Sequence, residues 1–122
     1  MVDNASPQDV EKAMKETRLL FVDAWADWCH PCKALTPILE ELDQKYAGNA
    51  DVKFLKVDTQ IHRQFAMDNE IHAIPCVLMY FDGKPAEYEV TNPRTGEKRV
   101  LNRLIGLRPA EHYEDAISYF LG

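Results

Sequence analysis

Apolar residues follow two different periods along this chain, and the change between the periods marks its elements. Segments whose apolar side chains recur every three or four residues predict amphipathic helices, whereas short runs rich in β-branched and aromatic residues predict buried strands. The predicted helices cover residues 6–17, 29–46, Ile61–Met67 and Pro109–Leu121. The predicted strands are Leu19–Trp25, Val52–Val57, Val77–Phe81, Glu87–Val90 and Arg99–Ile105. This order of helices and strands predicts one α/β domain.

The connections between these segments predict how the strands pair. Leu19–Trp25 and Val52–Val57 are separated by a helix, so we expect them to lie parallel and to be joined by a right-handed crossover. The dipeptide Asp82-Gly83 is a strong hairpin signal, which predicts antiparallel pairing between Val77–Phe81 and the strand that follows it. The chain therefore predicts a mixed sheet, in which parallel strands are followed by antiparallel ones.

Composition and charge narrow the class of protein and its partners. The 122 residues are close to the commonest domain size, so we expect a single domain over residues 1–122. A net charge of −6 disfavours nucleic acid and anionic membrane surfaces, because both need a clustered basic face. The polar start does not resemble a secretory signal, and the longest apolar run, Cys76–Phe81, is too short to span a bilayer. We therefore expect a cytoplasmic monomer with no membrane or nucleic-acid partner.

The segment Trp28-Cys29-His30-Pro31-Cys32 carries the strongest chemical signal in the chain. If a helix begins at Cys29, Cys32 lies one turn further along on the same side, and the two thiols are within reach of a disulfide. Unpaired amides at a helix start stabilise an anion, so Cys29 is the expected nucleophile. A disulfide that closes so short a loop stabilises a fold by only about 2 kcal/mol, which weakens a purely structural interpretation.

Metal binding is the alternative from a different class of chemistry. Zinc sites usually combine two cysteine pairs, or one cysteine pair with a histidine pair, and this chain has three cysteines and a single C-x-x-C. Cys29, Cys32 and Cys76 would form a metal or cluster site only if the fold brought them together with His30 or His72. Redox cycling of the pair is favoured, and a metal-binding module remains the open alternative.

Four sequence elements, in the right order, resemble the thioredoxin family. They are an aspartate inside an apolar strand, a W-C-x-x-C motif, an Ile-Pro pair before a strand, and a glycine before the last helix. In this chain they are carried by FVDAWADWCHPCKALTPILEEL, by AIPC with VLMYFDG, and by LIGLRPAEHYEDAISYFL. The resemblance implies a thioredoxin fold, with a mixed central sheet flanked by helices on both faces, and the activity of a thiol-disulfide oxidoreductase.

The resemblance also implies catalytic roles. Cys29 would attack a substrate disulfide to form a mixed disulfide, and Cys32 would then attack Cys29 and release the reduced product. Asp23 matches the family's buried aspartate and would accept the proton of Cys32. The alternative for Asp23 is a carboxylate that only caps backbone amides at the end of the strand.

Residues around the pair are expected to bind the substrate. Pro75 matches the family's cis-proline, and a cis bond would set the backbone of Ile74 beside Cys29, where an extended substrate segment would pair with it. Trp28 would offer an apolar contact, and Pro31 would fix the first helical turn.

Three single positions depart from the family pattern. His30 replaces the usual glycine, and an imidazolium there would stabilise the thiolate and make the couple more oxidising, unless the side chain only points into water. Cys76 follows Pro75 where the family usually has threonine, either as a thiol that exchanges with the pair or as an inert buried residue. Phe54 stands where many bacterial members carry a lysine near the buried aspartate.

The segment between Gly83 and Gly106 is longer than the corresponding hairpin of the family. Residues 84–108 contain six Lys or Arg and three Asp or Glu, so they carry a net charge of +3 while the rest of the chain carries −9. This asymmetry suggests either an acidic partner or an extended hairpin at about 84–105 whose charges protect a sheet edge, and we favour the hairpin.

These expectations describe a cytoplasmic protein-disulfide reductase. It would act on disulfide-containing proteins, would be reduced by a separate thioredoxin reductase, and would need no cofactor beyond the redox-active pair Cys29–Cys32. An oxidase or isomerase of the same fold and a metal-binding module remain the alternatives.

Overall fold

The computed structural model describes all 122 residues and contains four helices and eight strands. The helices are α1 (Pro7–Glu16), α2 (His30–Lys45), α3 (Arg63–Asp68) and α4 (Ala110–Leu121). The strands are β1 (Asp3–Asn4), β2 (Leu19–Trp25), β3 (Val52–Asp58), β4 (Cys76–Phe81), β5 (Lys84–Pro85), β6 (Tyr88–Thr91), β7 (Lys98–Leu101) and β8 (Arg103–Ile105). No helix is both long enough and apolar enough to cross a bilayer.

Six strands form one mixed sheet in which β2 is central. The strand order is β1-β3-β2-β4-β5, and β8 also pairs with β4. Strands β1 and β2 lie parallel to β3, whereas β4 runs antiparallel to β2, β5 and β8. The predicted mixed sheet is confirmed, and its central strand has the predicted bounds, Leu19–Trp25. The short strand β1 was not predicted.

Helices cover both faces of the sheet because β2 is buried on both. Alternate side chains of a strand point to opposite faces. Leu19 and Phe21 pack in a core with α2 and α4, while Leu20 and Val22 pack in a second core with α1 and α3. These four side chains are at most 1% exposed. The same enclosure keeps Asp23, the next residue of β2, away from water.

Two local signals in the sequence form the predicted structures. The Ser6 hydroxyl accepts a hydrogen bond from the Asp9 N–H at 3.1 Å, and the Asp9 carboxylate accepts one from the Ser6 N–H at 3.0 Å, which makes a capping box at the start of α1. Asp82 and Gly83 adopt positive φ angles of 52° and 80° between β4 and β5. That conformation belongs to the tight hairpin turn that Asp-Gly favours.

The strands after this turn differ from the prediction. The strand predicted at Glu87–Val90 was expected to pair with β4, and this was wrong. The corresponding strand, β6, pairs with β7 in a separate two-stranded sheet. Strand β8 then returns to the edge of β4, so the predicted strand Arg99–Ile105 is divided at Asn102. The Met79 carbonyl accepts from the Ala86 N–H, and the Met79 N–H donates to the Asn102 carbonyl, both at 2.9 Å. The inserted hairpin, residues 88–101, therefore interrupts an edge strand.

Exposure explains why the pattern did not predict this geometry. Every residue from 91 to 100 is exposed, so no buried face specifies how these residues pair. Only the base of the inserted hairpin is anchored to the body of the protein. The ring centroid of Tyr88 lies 5.1 Å from that of Tyr119 and 5.8 Å from that of Phe120 on α4.

Helix α3 begins two residues later than predicted, and Ile61 does not belong to its buried face. Asp58 Oδ1 accepts hydrogen bonds from the Gln60 N–H at 2.8 Å and the Ile61 N–H at 3.4 Å. A turn held by an aspartate side chain competes with a helix, so the helix starts only at Arg63. Ile61 is consequently 73% exposed, whereas Phe65 is buried as predicted.

Candidate active site

Strand β2 and helix α2 place the cysteine pair at one end of the sheet. Cys29 is the N-cap of α2 and forms a disulfide with Cys32, with their Cα atoms 5.3 Å apart. The Cys32 N–H donates a hydrogen bond to Cys29 Sγ at 3.2 Å. Because a helix leaves its first amides without backbone partners, this N–H would also stabilise a thiolate at Cys29 after reduction.

The loop before β4 lies against the sulfur of Cys29. The Ile74–Pro75 peptide bond is cis, as the resemblance implies, and the Ile74 carbonyl oxygen lies 3.8 Å from Cys29 Sγ. The Pro75 carbonyl accepts a hydrogen bond from the Gly106 N–H at 2.8 Å, which ties the loop to the end of β8. A main-chain carbonyl therefore borders the reactive sulfur.

A groove of about 260 Å³ opens beside this loop, and its lining is mainly apolar. Trp28 and Ile74 both line it, as does His72, and the Trp28 side chain is 67% exposed. Arg63 is the one lining residue with a formal charge, and it takes part in none of the ion pairs of the structure. The sequence analysis identified Trp28 and Ile74 but missed Arg63, because an arginine on a short surface helix carries no signal by itself.

Asp23 is the only charged residue that is buried, with 3% exposure. Its Oδ1 has no hydrogen-bond partner, which does not fit the alternative role of a backbone cap. Burial raises the pKa of Asp23 to about 7, and the positive charge of Lys56 opposes that rise. A carboxyl group with such a pKa can take up and release a proton near neutral pH.

Lys56 supplies a cation near Asp23 that the sequence analysis missed. Phe54, at the position where a lysine is common, stacks on Phe21 with ring centroids 5.0 Å apart. Lys56 is the direct partner of Asp23 in the β2–β3 ladder, and its Nζ lies 5.1 Å from the ring centroid of Trp25. Alternate side chains of β3 share a face, so Lys56 lies on the same face as Phe54. This alternation could have identified Lys56 from the sequence.

The fold does not bring the three cysteines together. Cys76 is 1% exposed and packs in the core with α1 and α3, whereas Cys29 and Cys32 form a separate cluster with Ala26. Burial raises the pKa of the Cys76 thiol, although Arg103 opposes the rise. No three His, Cys, Asp or Glu side chains are arranged to hold a metal ion. The geometry therefore gives the metal-binding alternative no support.

His30 and Pro31 are the first two residues of α2, and both are exposed. Pro31 occupies the helical turn that the sequence predicts, where its missing N–H leaves no hydrogen bond unmade. The His30 side chain takes part in no ion pair. Its effect on the cysteine pair stays a prediction.

Known proteins that are similar to this chain carry one family name. The family model described as Thioredoxin matches residues 2–103. A thioredoxin of Staphylococcus aureus is 37% identical over 89 residues, which make up 72% of this chain and 84% of that protein. Thioredoxin C-2 of Corynebacterium nephridii is 47% identical over 71 residues, or 58% of this chain and 64% of that protein.

A solved structure agrees with these matches. Thioredoxin from Fasciola hepatica superimposes with a TM-score of 0.73 at 25% identity, covering 98% of this chain and 99% of that one. The chain thus has the thioredoxin fold, and the range that the family model matches, residues 2–103, contains Asp23, Cys29, Cys32 and Pro75. We conclude that the chain belongs to the thioredoxin family of thiol-disulfide oxidoreductases.

Proposed function

We propose that the protein is a cytoplasmic protein-disulfide reductase, which reduces disulfides in other proteins and is itself reduced by a thioredoxin reductase. The observation that carries the proposal is the position of Cys29 Sγ, at the start of α2 and 3.8 Å from the Ile74 carbonyl. A nucleophile, an anion-stabilising amide and a main-chain acceptor for the substrate meet there. The oxidoreductase chemistry follows from the family, and the reductase direction and the compartment are our proposal.

The first step forms a mixed disulfide. In the reduced protein, the Cys29 thiolate attacks one sulfur of the substrate disulfide. A bond forms between Cys29 Sγ and that sulfur, the substrate S–S bond breaks, and the other substrate sulfur leaves as a thiolate that takes a proton from water. The Ile74 backbone and the groove beside Trp28 hold the substrate segment extended during the attack.

The second step releases the product. Cys32 is 1% exposed, so its thiol needs an internal base, and Asp23 with a pKa of about 7 can act as that base. The Cys32 thiolate attacks Cys29 Sγ, and the bond from Cys29 to the substrate breaks. The second substrate sulfur leaves as a thiolate and takes a proton, so both substrate sulfurs are reduced. The two electrons come from the thiols of Cys29 and Cys32, which remain as a disulfide.

Reduction of insulin disulfides by dithiothreitol tests the activity directly. We expect the wild-type protein to accelerate the reaction and Cys29→Ser to lower it to the uncatalysed rate. Cys76→Ser is the matched control, because it removes a buried thiol from the other core, and we expect it to keep most of the activity. Absence of catalysis by the folded wild-type protein would overturn the proposal.

Two further measurements test the direction and the compartment. Equilibration with glutathione gives the reduction potential, and a reductase should lie near the value of about −270 mV that is typical of thioredoxin. A potential near about −180 mV would assign the protein to isomerases instead. Cys32→Ser should hold its targets as mixed disulfides, and we expect the targets trapped in cells to be cytoplasmic proteins; secreted targets would contradict the proposed location.

A further inference from the structure

Two buried side-chain atoms in the whole chain have no hydrogen-bond partner: Asp23 Oδ1 and Tyr113 Oη. Such atoms are rare, because burying a polar group without a partner costs about 1–3 kcal/mol. Tyr113 is 0% exposed and Asp23 is 3% exposed, so bulk water does not satisfy either atom. The two unpaired atoms are of complementary chemistry, because a phenol donates a hydrogen bond and a carboxylate accepts one.

Both side chains lie in the core between the sheet and helices α2 and α4. The ring of Tyr113, on α4, meets the ring of Phe21 edge-on with centroids 5.9 Å apart. Asp23 follows Phe21 by two residues in β2, so its side chain points to the same face of the sheet. The structure thus places the two unpaired atoms in one compartment.

We propose that Tyr113 is a positioning residue for Asp23, and that its hydroxyl is linked to the Asp23 carboxylate through one buried water molecule. The proposal refines the base of the proposed reductase mechanism and rests on it only for its effect on turnover. A buried water needs two or more polar partners, and these two atoms supply them. The phenol donates to the water, and the water donates to the carboxylate, so the link favours the charged form of Asp23.

The electrostatic effect of Asp23 on Tyr113 is consistent with the two side chains lying close together. Burial raises the pKa of Tyr113, and the negative charge of Asp23 is the next largest cause of the rise. The other groups that act on the pair come from three segments: Lys56 on β3 and Arg108 before α4 as cations, and Cys76 on β4 as a thiol. The hydroxyl is therefore protonated at neutral pH and available as a donor.

The titration of Asp23 in Tyr113→Phe tests the link without any assay of activity. We expect carbon-13 NMR of aspartate carboxyl groups in the oxidised protein to show the pKa of Asp23 raised by about one unit, since hydrogen bonds to charged groups are worth that much. Tyr88→Phe is the matched control, because Tyr88 packs at the edge of the same core, and it should leave the titration unchanged. An unchanged or lowered pKa of Asp23 in Tyr113→Phe would overturn the proposal.

Unfolding and turnover give two independent readouts. An unlinked phenol gains stability when its orphaned hydroxyl is removed, so Tyr113→Phe should then resist denaturant better than wild type. A linked phenol loses stability in Tyr113→Phe, and this loss should disappear when Asp23 is already Leu, which cannot accept a hydrogen bond. If insulin reduction occurs, its pH profile should move to higher pH by the same amount as the titration. If no reduction occurs, the proposed function fails, while the NMR titration still decides the role of Tyr113.

Discussion

The end of the sheet that carries the cysteine pair buries a polar side chain, whereas the inserted hairpin exposes its polar side chains to solvent. At the cysteine-pair end, Asp23 is enclosed without a partner for Oδ1, and its pKa is raised to about 7. In the hairpin tip, the Asn92 side chain accepts from the Arg94 N–H at 2.8 Å, and the Asn92 N–H donates to the Glu97 carbonyl at 2.8 Å. Burial of Asp23 costs stability but gives its carboxyl a pKa suited to proton transfer. The exposed Asn92 is hydrogen-bonded in a turn and has no comparable chemistry.

Asp23→Asn should have the largest effect and tests the first half of this contrast. As pH rises from 3.8 to about 7, the unfolded carboxyl loses its proton while the folded one retains it, so the free energy of unfolding falls over that window. The substitution should remove this dependence and stabilise the oxidised protein by about 4 kcal/mol above pH 7. Urea unfolding at pH 5 and pH 9 measures it.

Glu97→Gln, in the exposed tip, is the control for that experiment and should leave both unfolding curves unchanged. Asp23→Asn should also slow the turnover of insulin at neutral pH, because Cys32 loses its base. If the free energy of unfolding depends equally on pH in the wild-type protein and in Asp23→Asn, the buried carboxyl does not cause the dependence.

His30→Gly should have a smaller effect, because the imidazole is exposed. An exposed charge contributes at most about 1 kcal/mol, which corresponds to about 20 mV for a two-electron couple. We expect the variant to be more reducing by up to that amount in equilibrium with glutathione. Lys98→Gln removes an exposed charge from the inserted hairpin and should not move the potential; a shift of equal size in both variants would point to net charge as the cause.

Arg63→Gln should change substrate preference slightly. Arg63 is the only formal charge in the lining of the groove, and an exposed ion pair is worth up to about 1 kcal/mol. The KM for disulfide peptides with a glutamate beside the cysteine should therefore rise by up to about fivefold, while neutral peptides keep their KM. Arg94→Gln, in the hairpin tip, is the matched control, and an equal rise in both variants would exclude a specific role for the groove.

Replacing residues 92–97 by Asn-Gly should have the smallest effect and tests the second half of the contrast. The two-residue turn would join β6 directly to β7 and would remove only exposed residues. We expect the free energy of unfolding to change by less than about 1 kcal/mol and insulin reduction to stay unchanged. A large loss in either measurement would show that the tip contacts the site or the substrate.

Burial decided which parts of the structure could be predicted from the sequence. Leu19–Trp25 was predicted with its observed bounds because both of its faces are apolar, and Asp82-Gly83 was predicted as a turn because few dipeptides adopt its φ angles. The cysteine pair was identified from its spacing at a predicted helix start, and Pro75 through the resemblance to a family.

Four features escaped, and all but the local turn at Asp58 depend on contacts distant in sequence. The start of α3 depends on a side-chain turn at Asp58, and the division of the edge strand at Asn102 depends on the hydrogen bonds of Met79. Lys56 was recognisable only after pairing with Asp23 was known. Tyr113 was predicted on the buried face of the last helix, but its unpaired hydroxyl is visible only in three dimensions.

The divided edge strand means that covalent continuity is not what holds helix α4 to the sheet. Met79 forms hydrogen bonds with Ala86 on one side of the break and with Asn102 on the other, so the ladder beside β4 continues although fifteen residues lie between its halves. Limited trypsin cleavage within the exposed stretch that holds Arg94, Lys98 and Arg99 should therefore leave an N-terminal and a C-terminal fragment that stay associated and remain redox-active. We therefore expect that the two fragments, expressed separately, would assemble into a functional protein.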